Sequence, residues 1–163
     1  SKKNIGRGSE MRITKTPTAV IPRYADNGSA GLDIYVDTKN EYQLLPGETL
    51  VVPTGIRVEI PRNHFGAIYP RSSLHMKGLA LANTVGIIDS SYRGEIMLPL
   101  INISEDMVYI NGDKGIRTPL VQLIIQPYKY ERINVIDTKL SETSRAEGRF
   151  GSTDKKEWTV GGV

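Results

Sequence analysis

The chain has 163 residues and no cysteine, which excludes disulfide bonds, cysteine zinc sites and thiol nucleophiles. Its formal net charge of +3 is a diffuse excess, which does not predict nucleic-acid binding and fits better with a few cations meeting an anionic ligand. The sequence has no apolar run of membrane-spanning length and no signal-peptide pattern, so we expect a soluble, intracellular protein.

The two ends of the chain differ in composition from its middle. The opening residues, SKKNIGRGSE, are polar and lack periodicity. We expect residues 1–10 to be a flexible leader or a cloning remnant, with Met11 as the natural start. A single β domain is expected over residues 11–140, and the polar, Gly-rich residues 141–163 are expected to form a flexible arm.

Between these ends, short apolar runs are cut by turns at spacings of roughly 8–12 residues. The 16 glycines and 9 prolines agree with frequent turns. This pattern predicts an all-β sandwich or barrel. The predicted strands are 19–21, 32–37, 44–45, 49–53, 56–60, 67–69, 85–88, 95–101, 108–110 and 120–126.

Two local features interrupt this series of strands. The best candidate for a helix is one short segment, residues 73–82. Asp89-Ser90-Ser91 has the composition of a turn, so we expect the runs on either side of it to form a hairpin.

Two segments in the first half of the chain could bind an anion. In AGLDI, Gly31 permits close backbone approach before Asp33, although a turn entering a strand explains the same pattern. In PRSSL, Arg71 offers a bidentate fork for phosphate, and Ser72 and Ser73 offer hydroxyl donors. The alternative is that one of the serines is the N-cap of a short helix. Both interpretations stay open, because a helix N-terminus also binds anions.

The stretch NTVGIIDSSYRGEI combines an amide, an acid and an aromatic residue. Asn83 carries one acceptor and two donors, which match the edge of a pyrimidine. Asp89 is a candidate general base for a water molecule, and Tyr92 is a candidate surface for packing a sugar. The alternative is an ordinary turn in which Asp and Ser cap backbone groups. The stretch alone does not exclude that turn.

Two segments in the second half are also candidates. Gln122 lies inside an apolar run, so it either needs a partner or faces solvent on an edge strand. In RAEGRFGST, glycines and hydroxyls suit a wrap around phosphates, and Phe150 suits stacking on a base. The alternative for this last segment is a disordered tail. His64 and His75 are isolated, so no histidine metal site is predicted.

Taken in order, these segments resemble the five motifs of the trimeric deoxyuridine triphosphatases (dUTPases). The motifs are AGLDIY, PRSSL…KG, NTVGIIDSSYRGEI, VQLI and RxEGxFGST, and the resemblance covers nearly the whole chain. Each is weak alone, but all of them in the correct order are specific. The resemblance implies a jelly-roll-like β-barrel with one short helix, in a homotrimer with strand and arm exchange. It also implies hydrolysis of dUTP to dUMP and pyrophosphate with Mg²⁺, which keeps uracil out of DNA and supplies dUMP for thymidylate synthesis.

The resemblance implies a role for each matching residue. Asp89 matches the general base, with Arg71 and Ser72 assisting catalysis from a neighbouring subunit. Asn83 matches the residue that reads uracil, and Tyr92 the residue that lies under the deoxyribose and leaves no room for a 2′-hydroxyl. The implied substrate-binding residues are Ser73, Asn83, Gly86, Ile87, Ile88, Tyr92, Met97, Gln122, Arg145, Phe150, Gly151, Ser152 and Thr153.

The resemblance implies no direct protein ligand for the metal. Mg²⁺ would be held by substrate phosphates and water, with Asp33 and Gln122 in contact through water. The implied partners are dUTP and further copies of the chain, without nucleic acid or membrane. A regulatory protein partner is left open, and nothing in the sequence indicates one.

The chain departs from the family pattern in three places, one of which is residues 155–163, KKEWTVGGV, which run past the last motif and have no counterpart in the pattern. Arg117-Thr118-Pro119 replaces the usual Gly-acid-Arg turn before the fourth motif, so we expect this loop to be built differently while Gln122 keeps its implied role. Ala146, Arg149 and Asp154 lie where glycine is common, and of these Arg149 adds a cation to the arm and Asp154 adds an anion.

Two alternative functions fit the same β architecture. A dCTP deaminase-like relative would share the fold and the Arg-Ser-Ser segment, but its catalytic Glu falls on Pro99, which cannot act as a base. A nucleotide-sensing or regulatory partner-binding barrel would lack catalytic residues, whereas all of the expected ones are present.

Overall fold

A computed structural model describes residues 10–149, and within them the fold is all-β and jelly-roll-like. Their one helical element is a 3₁₀ turn, His75–Lys77. No helix in this range has the length and apolar character needed to cross a membrane. The strands are β1 (Arg12–Lys15), β2 (Arg23–Tyr24), β3 (Leu32–Ile34), β4 (Tyr42–Leu44), β5 (Thr49–Pro53), β6 (Ile56–Glu59), β7 (His64–Pro70), β8 (Leu79–Leu81), β9 (Gly86–Ile88), β10 (Met97–Asn102), β11 (Val108–Ile110) and β12 (Val121–Pro127).

The strands pair antiparallel in four sheets. The largest has the order β2-β3-β12-β7-β9, and a three-stranded sheet has the order β5-β10-β8. Two further pairs are β1-β6 and β4-β11. In the largest sheet, Gln122 of β12 lies opposite Asp33 on one side and Tyr69 on the other. The long-range pairing of β3, β12 and β7 therefore aligns three segments that are far apart in sequence.

The core is aliphatic and follows the two-residue period of the strands. In β6, Ile56 and Val58 are buried while Arg57 between them is exposed. In β10, Leu98 and Leu100 are buried in the same alternating way. This alternation fixes the register of each strand, because a slip of one residue would turn every apolar side chain outward.

One buried acid, Asp37, ties the loop after β3 to the residue that follows β1, and the turn between β5 and β6 packs against it. Asp37 is 4% exposed and accepts hydrogen bonds from Thr16 Oγ1 at 2.7 Å and from the Lys39 N–H at 3.1 Å. Burial opposes its charge, but the hydroxyls of Thr18 and Thr16 and the N–H and charge of Lys39 hold the pKa of Asp37 below its ordinary value. Gly55 approaches the carboxylate with a φ of 69°, where a side chain would be strained and would collide with it.

Residues 131–149 belong to a second unit, which begins after Tyr130. They form neither helix nor strand. The predicted boundary between domain and arm at residue 141 stays a prediction.

The apolar runs predicted the strands of the middle of the chain well, since β5, β6, β11 and β12 coincide with predicted segments. The predicted strand 19–21 is wrong. It is a loop in which the Ala19 N–H donates to the Thr16 carbonyl and Val20 and Ile21 are exposed. The predicted strand 32–37 ends at Ile34, and the Asp37 N–H donates to the Pro53 carbonyl.

The predicted helix 73–82 is wrong over most of its length. The 3₁₀ turn His75–Lys77 ends at Gly78, whose φ of 74° is left-handed and stops helical winding. The next residues form β8, which pairs with β10.

The hairpin predicted around Asp89 is wrong in its pairing. Strand β9 pairs with β7 in the largest sheet, whereas β10 pairs with β5 and β8 in another sheet. Residues 89–96 therefore cross from one sheet to the other. Glu95 and Ile96, expected within a strand, precede β10, and the Ile96 N–H donates to the Ile56 carbonyl at 2.9 Å.

Candidate active site

Gly31, Asp33, Arg71 and Gln122 form a group that we call the sheet cluster. Arg71 follows β7 directly, and its Nη1 donates to the Asp33 carboxylate in an ion pair. The side chains of Arg71 and Asp33 are 33% and 15% exposed, respectively, so solvent screens this ion pair less than it screens an ion pair on the surface. The pair presents the remaining guanidinium N–H groups of Arg71 in a fixed orientation.

Gln122 lies at the centre of the sheet cluster. Its Nε2 donates to the Pro70 carbonyl at 3.2 Å, which fixes the side-chain amide. A Cβ at residue 31 would lie 2.7 Å from Gln122 Oε1, so glycine is required there for space rather than for backbone conformation. Because β12 lies between β3 and β7, the alternative of a solvent-facing Gln on an edge strand is wrong.

The two serines of PRSSL lie beside the sheet cluster. Ser72 is exposed, and Ser73 Oγ accepts a hydrogen bond from Lys77 Nζ at 2.7 Å. The 3₁₀ turn has Leu74 at its N-cap without a side-chain cap, so neither serine caps it. Lys77 was not among the predicted site residues, although its spacing of four from Ser73 was visible in the sequence. A groove of about 310 Å³ is lined by Pro70, Arg71, Ser72, Leu74, His75, Leu79, Ala80, Leu81 and Thr84.

Asp89 lies at the start of a tight turn that we call the acid loop, residues 89–95. The Tyr92 N–H donates to the Asp89 carbonyl at 3.0 Å, which closes the turn. The Asp89 side chain is exposed, and its carboxylate has no hydrogen-bond partner among residues 10–149. Its oxygen lone pairs are therefore available to a water molecule.

Tyr92 is folded back on the same loop. Its hydroxyl donates to the Glu95 carbonyl at 2.8 Å, and a Cβ at Gly94 would collide with its ring. The residue stays 40% exposed. The ring is thus fixed at its hydroxyl end and open to a ligand over part of its surface.

The acid loop is anchored by side chains that the sequence prediction missed. Arg93 Nη1 donates to the Ser90 and Tyr92 carbonyls at 2.8 and 2.9 Å. Arg57 Nη1 donates to the Arg93 carbonyl at 3.1 Å. Glu95 Oε1 accepts the Gly55 N–H at 2.7 Å. No sequence signal marks these contacts, because arginine and glutamate are common on any exposed loop.

The predicted uracil-reading residues surround strand β9. The Asn83 amide lies over Gly86, with Nδ2 3.2 Å from the position of a Cβ there. Strand β8 ends at Leu81, the Ala82 N–H still donates to the Pro99 carbonyl at 2.8 Å, and Asn83 follows in a turn. Strand β9 is an edge strand in the sheet formed by the described residues, so the outer backbone groups of Gly86, Ile87 and Ile88 have no ladder partner there.

The sheet cluster and the acid loop lie at opposite ends of β7. Ile88, which precedes Asp89, lies opposite Gly66, whereas Arg71 follows Pro70 at the other end of the strand. Five residues at about 3.3 Å each separate these ends by roughly 16 Å. Within one chain, Asp89 and Arg71 are therefore held at separate ends of the same strand.

The predicted arm residues are only partly described. Arg145 Nε donates to the Gly148 carbonyl at 3.3 Å. Phe150, Gly151, Ser152 and Thr153 lie outside the described residues, and their predicted roles stay predictions.

No group of three or more His, Asp or Glu side chains within residues 10–149 is arranged to hold a metal ion. Asp33 uses one carboxylate oxygen for Arg71, and Gln122 uses its amide nitrogen for Pro70. The other carboxylate oxygen and Gln122 Oε1 remain as oxygen donors on one side of the sheet. Mg²⁺ prefers oxygen ligands and keeps several waters, so these two residues fit contacts to it through water.

A family model and curated relatives of this chain indicate the same protein family. Residues 18–154 match the family model described as dUTPase. A curated relative from Thermoanaerobacter sp. (strain X514), named deoxyuridine 5′-triphosphate nucleotidohydrolase, is 40% identical over 148 residues, covering 88% of this chain and 96% of the relative.

Solved structures of phage proteins share the fold. Staphylococcus bacteriophage 80alpha dUTPase with dUPNHPP aligns with a TM-score of 0.77 at 24% identity, covering 89% of this chain and 98% of that chain. A point mutant of the dUTPase from phage phi11 of S. aureus, described with a structural Mg(II) ion, aligns with a TM-score of 0.70 at 21% identity, covering 82% of this chain and 100% of that chain.

Proposed function

Because the chain belongs to the dUTPase family and hydrolyses dUTP, we propose that Asp89 activates a water molecule for attack on the α-phosphorus. The water oxygen bonds to the α-phosphorus and its proton passes to the Asp89 carboxylate. The bond between the α-phosphorus and the oxygen that bridges it to the β-phosphorus breaks, which releases dUMP and pyrophosphate. The observation that carries this proposal is the Asp89 carboxylate, which is exposed and has no hydrogen-bond partner among residues 10–149. The sheet cluster supports it, because it holds an arginine fork beside oxygen atoms suited to a magnesium triphosphate.

Asp89 has the properties required of the general base. A base must reach the proton of its water molecule and must have a free lone pair to accept it. The exposed carboxylate at the start of the acid loop meets both conditions, since no group among residues 10–149 occupies it.

The nucleoside would be read by Asn83, Tyr92 and the open edge of β9. The Asn83 amide and the outer backbone groups of residues 86–88, with the backbone of Met97, supply donors and acceptors for the uracil edge. Tyr92, fixed by its hydroxyl, would pack under the deoxyribose and exclude a 2′-hydroxyl by steric contact.

The triphosphate would bind Arg71, Ser72, Ser73 and Gln122. Bound Mg²⁺ supplies positive charge that offsets the charge developing on the phosphate oxygens. Asp33 would orient Arg71 through their ion pair and, with Gln122, would contact the hydrated metal.

We place these two halves of the site on different subunits of a homotrimer. The separation of roughly 16 Å between the ends of β7 supports this arrangement, because one chain holds Asp89 and Arg71 at separate ends of that strand. The arm of a further subunit, with Arg145, Phe150, Gly151, Ser152 and Thr153, would close over uracil and the γ-phosphate.

The test is a pyrophosphate-release assay with dUTP and Mg²⁺, together with the mass of the assembly in solution. We expect turnover of dUTP, no ammonia from dCTP and the mass of a trimer. Absence of pyrophosphate would refute the proposed chemistry. Ammonia from dCTP would favour the deaminase, and an active monomer would refute the shared site.

A further inference from the structure

We propose that Arg93 is the positioning residue for Asp89, and that it fixes the conformation of the acid loop through hydrogen bonds to the loop backbone. This inference rests on the proposed role of Asp89 as general base. It assigns a function to a residue that has none among the roles implied by the family motifs.

The contacts of Arg93 lie next to the functional side chains. Its Nη1 donates to the carbonyl of Ser90, which follows Asp89, and to the carbonyl of Tyr92. The distances of 2.8 and 2.9 Å are those of good charge-assisted hydrogen bonds. One guanidinium nitrogen therefore bridges two carbonyls within the turn that begins at Asp89.

Strand β6 holds Arg93 at both its side chain and its backbone. Arg93 Nη2 lies 3.5 Å from Glu59 Oε1, and the other oxygen of Glu59 pairs with Arg12 at 2.7 Å. Arg57 Nη1 donates to the Arg93 carbonyl. Because Ile56 of β6 is packed in the core, these contacts tie the acid loop to a rigid element.

Because Arg93 and Glu59 are exposed, their contacts can position the acid loop without contributing much to the stability of the fold. The side chains of Arg93 and Glu59 are 57% and 37% exposed, and exposed ion pairs contribute little to the free energy of unfolding. Catalysis is more sensitive, because a displacement of about 1 Å of a reacting group can cost on the order of 100-fold in rate. Loss of Arg93 should therefore affect kcat far more than it affects folding.

Arg117 provides a matched control. Its Nε donates to the Gly112 carbonyl at 2.9 Å, and its Nη2 lies 3.7 Å from Asp113, so it also bridges a loop carbonyl and an acid on the surface. Its side chain is 65% exposed, close to the value for Arg93. It makes no contact with the acid loop among the described residues.

The experiment compares Arg93→Ala, Arg93→Lys and Arg117→Ala in the full chain, with kcat and KM for dUTP measured in saturating Mg²⁺. Arg93→Ala should lower kcat about 10- to 100-fold, with KM changed by less than about threefold. Arg93→Lys should recover part of kcat, because an ammonium can reach one carbonyl but lacks the planar fork. Arg117→Ala should match the parent in kcat, and all three should melt within a few degrees of one another.

A second comparison places Arg93→Ala in an Asp89→Asn background. If Arg93 acts through Asp89, the double variant should be no slower than Asp89→Asn alone. A kcat for Arg93→Ala within about twofold of the parent would overturn the inference, and so would a further tenfold loss in the double variant. A parent chain inactive on dUTP would overturn the proposed function together with this inference, whereas an active parent with an unaffected Arg93→Ala would overturn the inference alone.

Discussion

The sheet cluster and the acid loop hold their polar groups by different means. In the sheet cluster, the functional side chains bind one another or the strands beneath them, as Arg71 binds Asp33 and Gln122 binds the Pro70 carbonyl. In the acid loop, Asp89 has no partner of its own among the described residues. Its position depends on hydrogen bonds made to the backbone around it.

This difference follows from the chemistry proposed for each region. A phosphate-binding arginine keeps several donors after one of them is used, so a carboxylate partner orients it at little cost to function. A general base whose lone pairs are occupied cannot accept a proton. The acid loop must therefore be fixed through carbonyls, and changes in the two regions should have separable effects on stability and turnover.

The sharpest test of this separation is Asp89→Asn. The amide cannot accept the proton of water, so we expect kcat to fall about 10²- to 10⁴-fold while a non-hydrolysable dUTP analogue still binds. The free energy of unfolding should change by less than about 0.5 kcal/mol, because the side chain is exposed and unbonded among the described residues. Pyrophosphate release, calorimetric binding and urea unfolding measure the three quantities. A near-normal kcat would show that Asp89 is not the base.

Arg71→Ala should affect both stability and turnover. It leaves the Asp33 carboxylate, whose side chain is 15% exposed, without its cation, which should cost about 1–3 kcal/mol in the free energy of unfolding. It also removes the phosphate fork, so kcat/KM for dUTP should fall. Arg71→Lys is the control, since it keeps the charge and loses the fork. Unchanged urea unfolding of Arg71→Ala would show that the ion pair does not stabilise the sheet cluster.

Gly31→Ala tests the packing within the sheet cluster. The added methyl group would lie 2.7 Å from Gln122 Oε1 and 2.9 Å from its Cβ, so the amide must move. We expect a loss of about 1–2 kcal/mol in the free energy of unfolding and a higher KM for dUTP. Gly28→Ala is the matched control, because the nearest atom to its added methyl is Asp26 Oδ1 at 3.5 Å. Equal behaviour of the two variants would contradict the close approach.

Asp37→Asn should have the smallest effect, a loss of stability that is present near neutral pH and narrows at acid pH. The pKa of Asp37 is lowered in the folded state, so its charge stabilises the fold above its ordinary pKa of 3.8, and this contribution is lost as the pH falls through the lower folded value. The parent should therefore exceed the variant in stability near neutral pH, and the gap should narrow below about pH 4. Urea midpoints from about pH 2.5 to about pH 7 measure the gap. A gap independent of pH would contradict this assignment, and kcat near neutral pH should not change.

The sequence predicted the strands whose apolar runs end at Pro or Gly, such as β5 and β6. It also predicted the residue types of the sheet cluster, because Asp33, Arg71 and Gln122 each belong to a recognisable segment. The contacts among them depend on β12 pairing with both β3 and β7, and such long-range pairing leaves no local signal.

The errors have the same origin. Residues 79–81 resemble part of a helix because their pairing with β10 is not visible locally. The stretch around Asp89 resembles a hairpin because two apolar runs separated by a turn usually pair with each other. Here each run pairs with a strand from elsewhere, which leaves the acid loop as a crossing between sheets.

The position of Asp89 and Arg71 at opposite ends of β7 has a consequence for mixtures of variants. A chain with Arg71→Ala keeps an intact acid loop, and a chain with Asp89→Asn keeps an intact sheet cluster. If each site joins halves from two chains, co-assembly of these two inactive proteins would unite the intact halves at some of the junctions. The pair should then complement each other, so that activity appears after subunit exchange between two preparations that each have almost none.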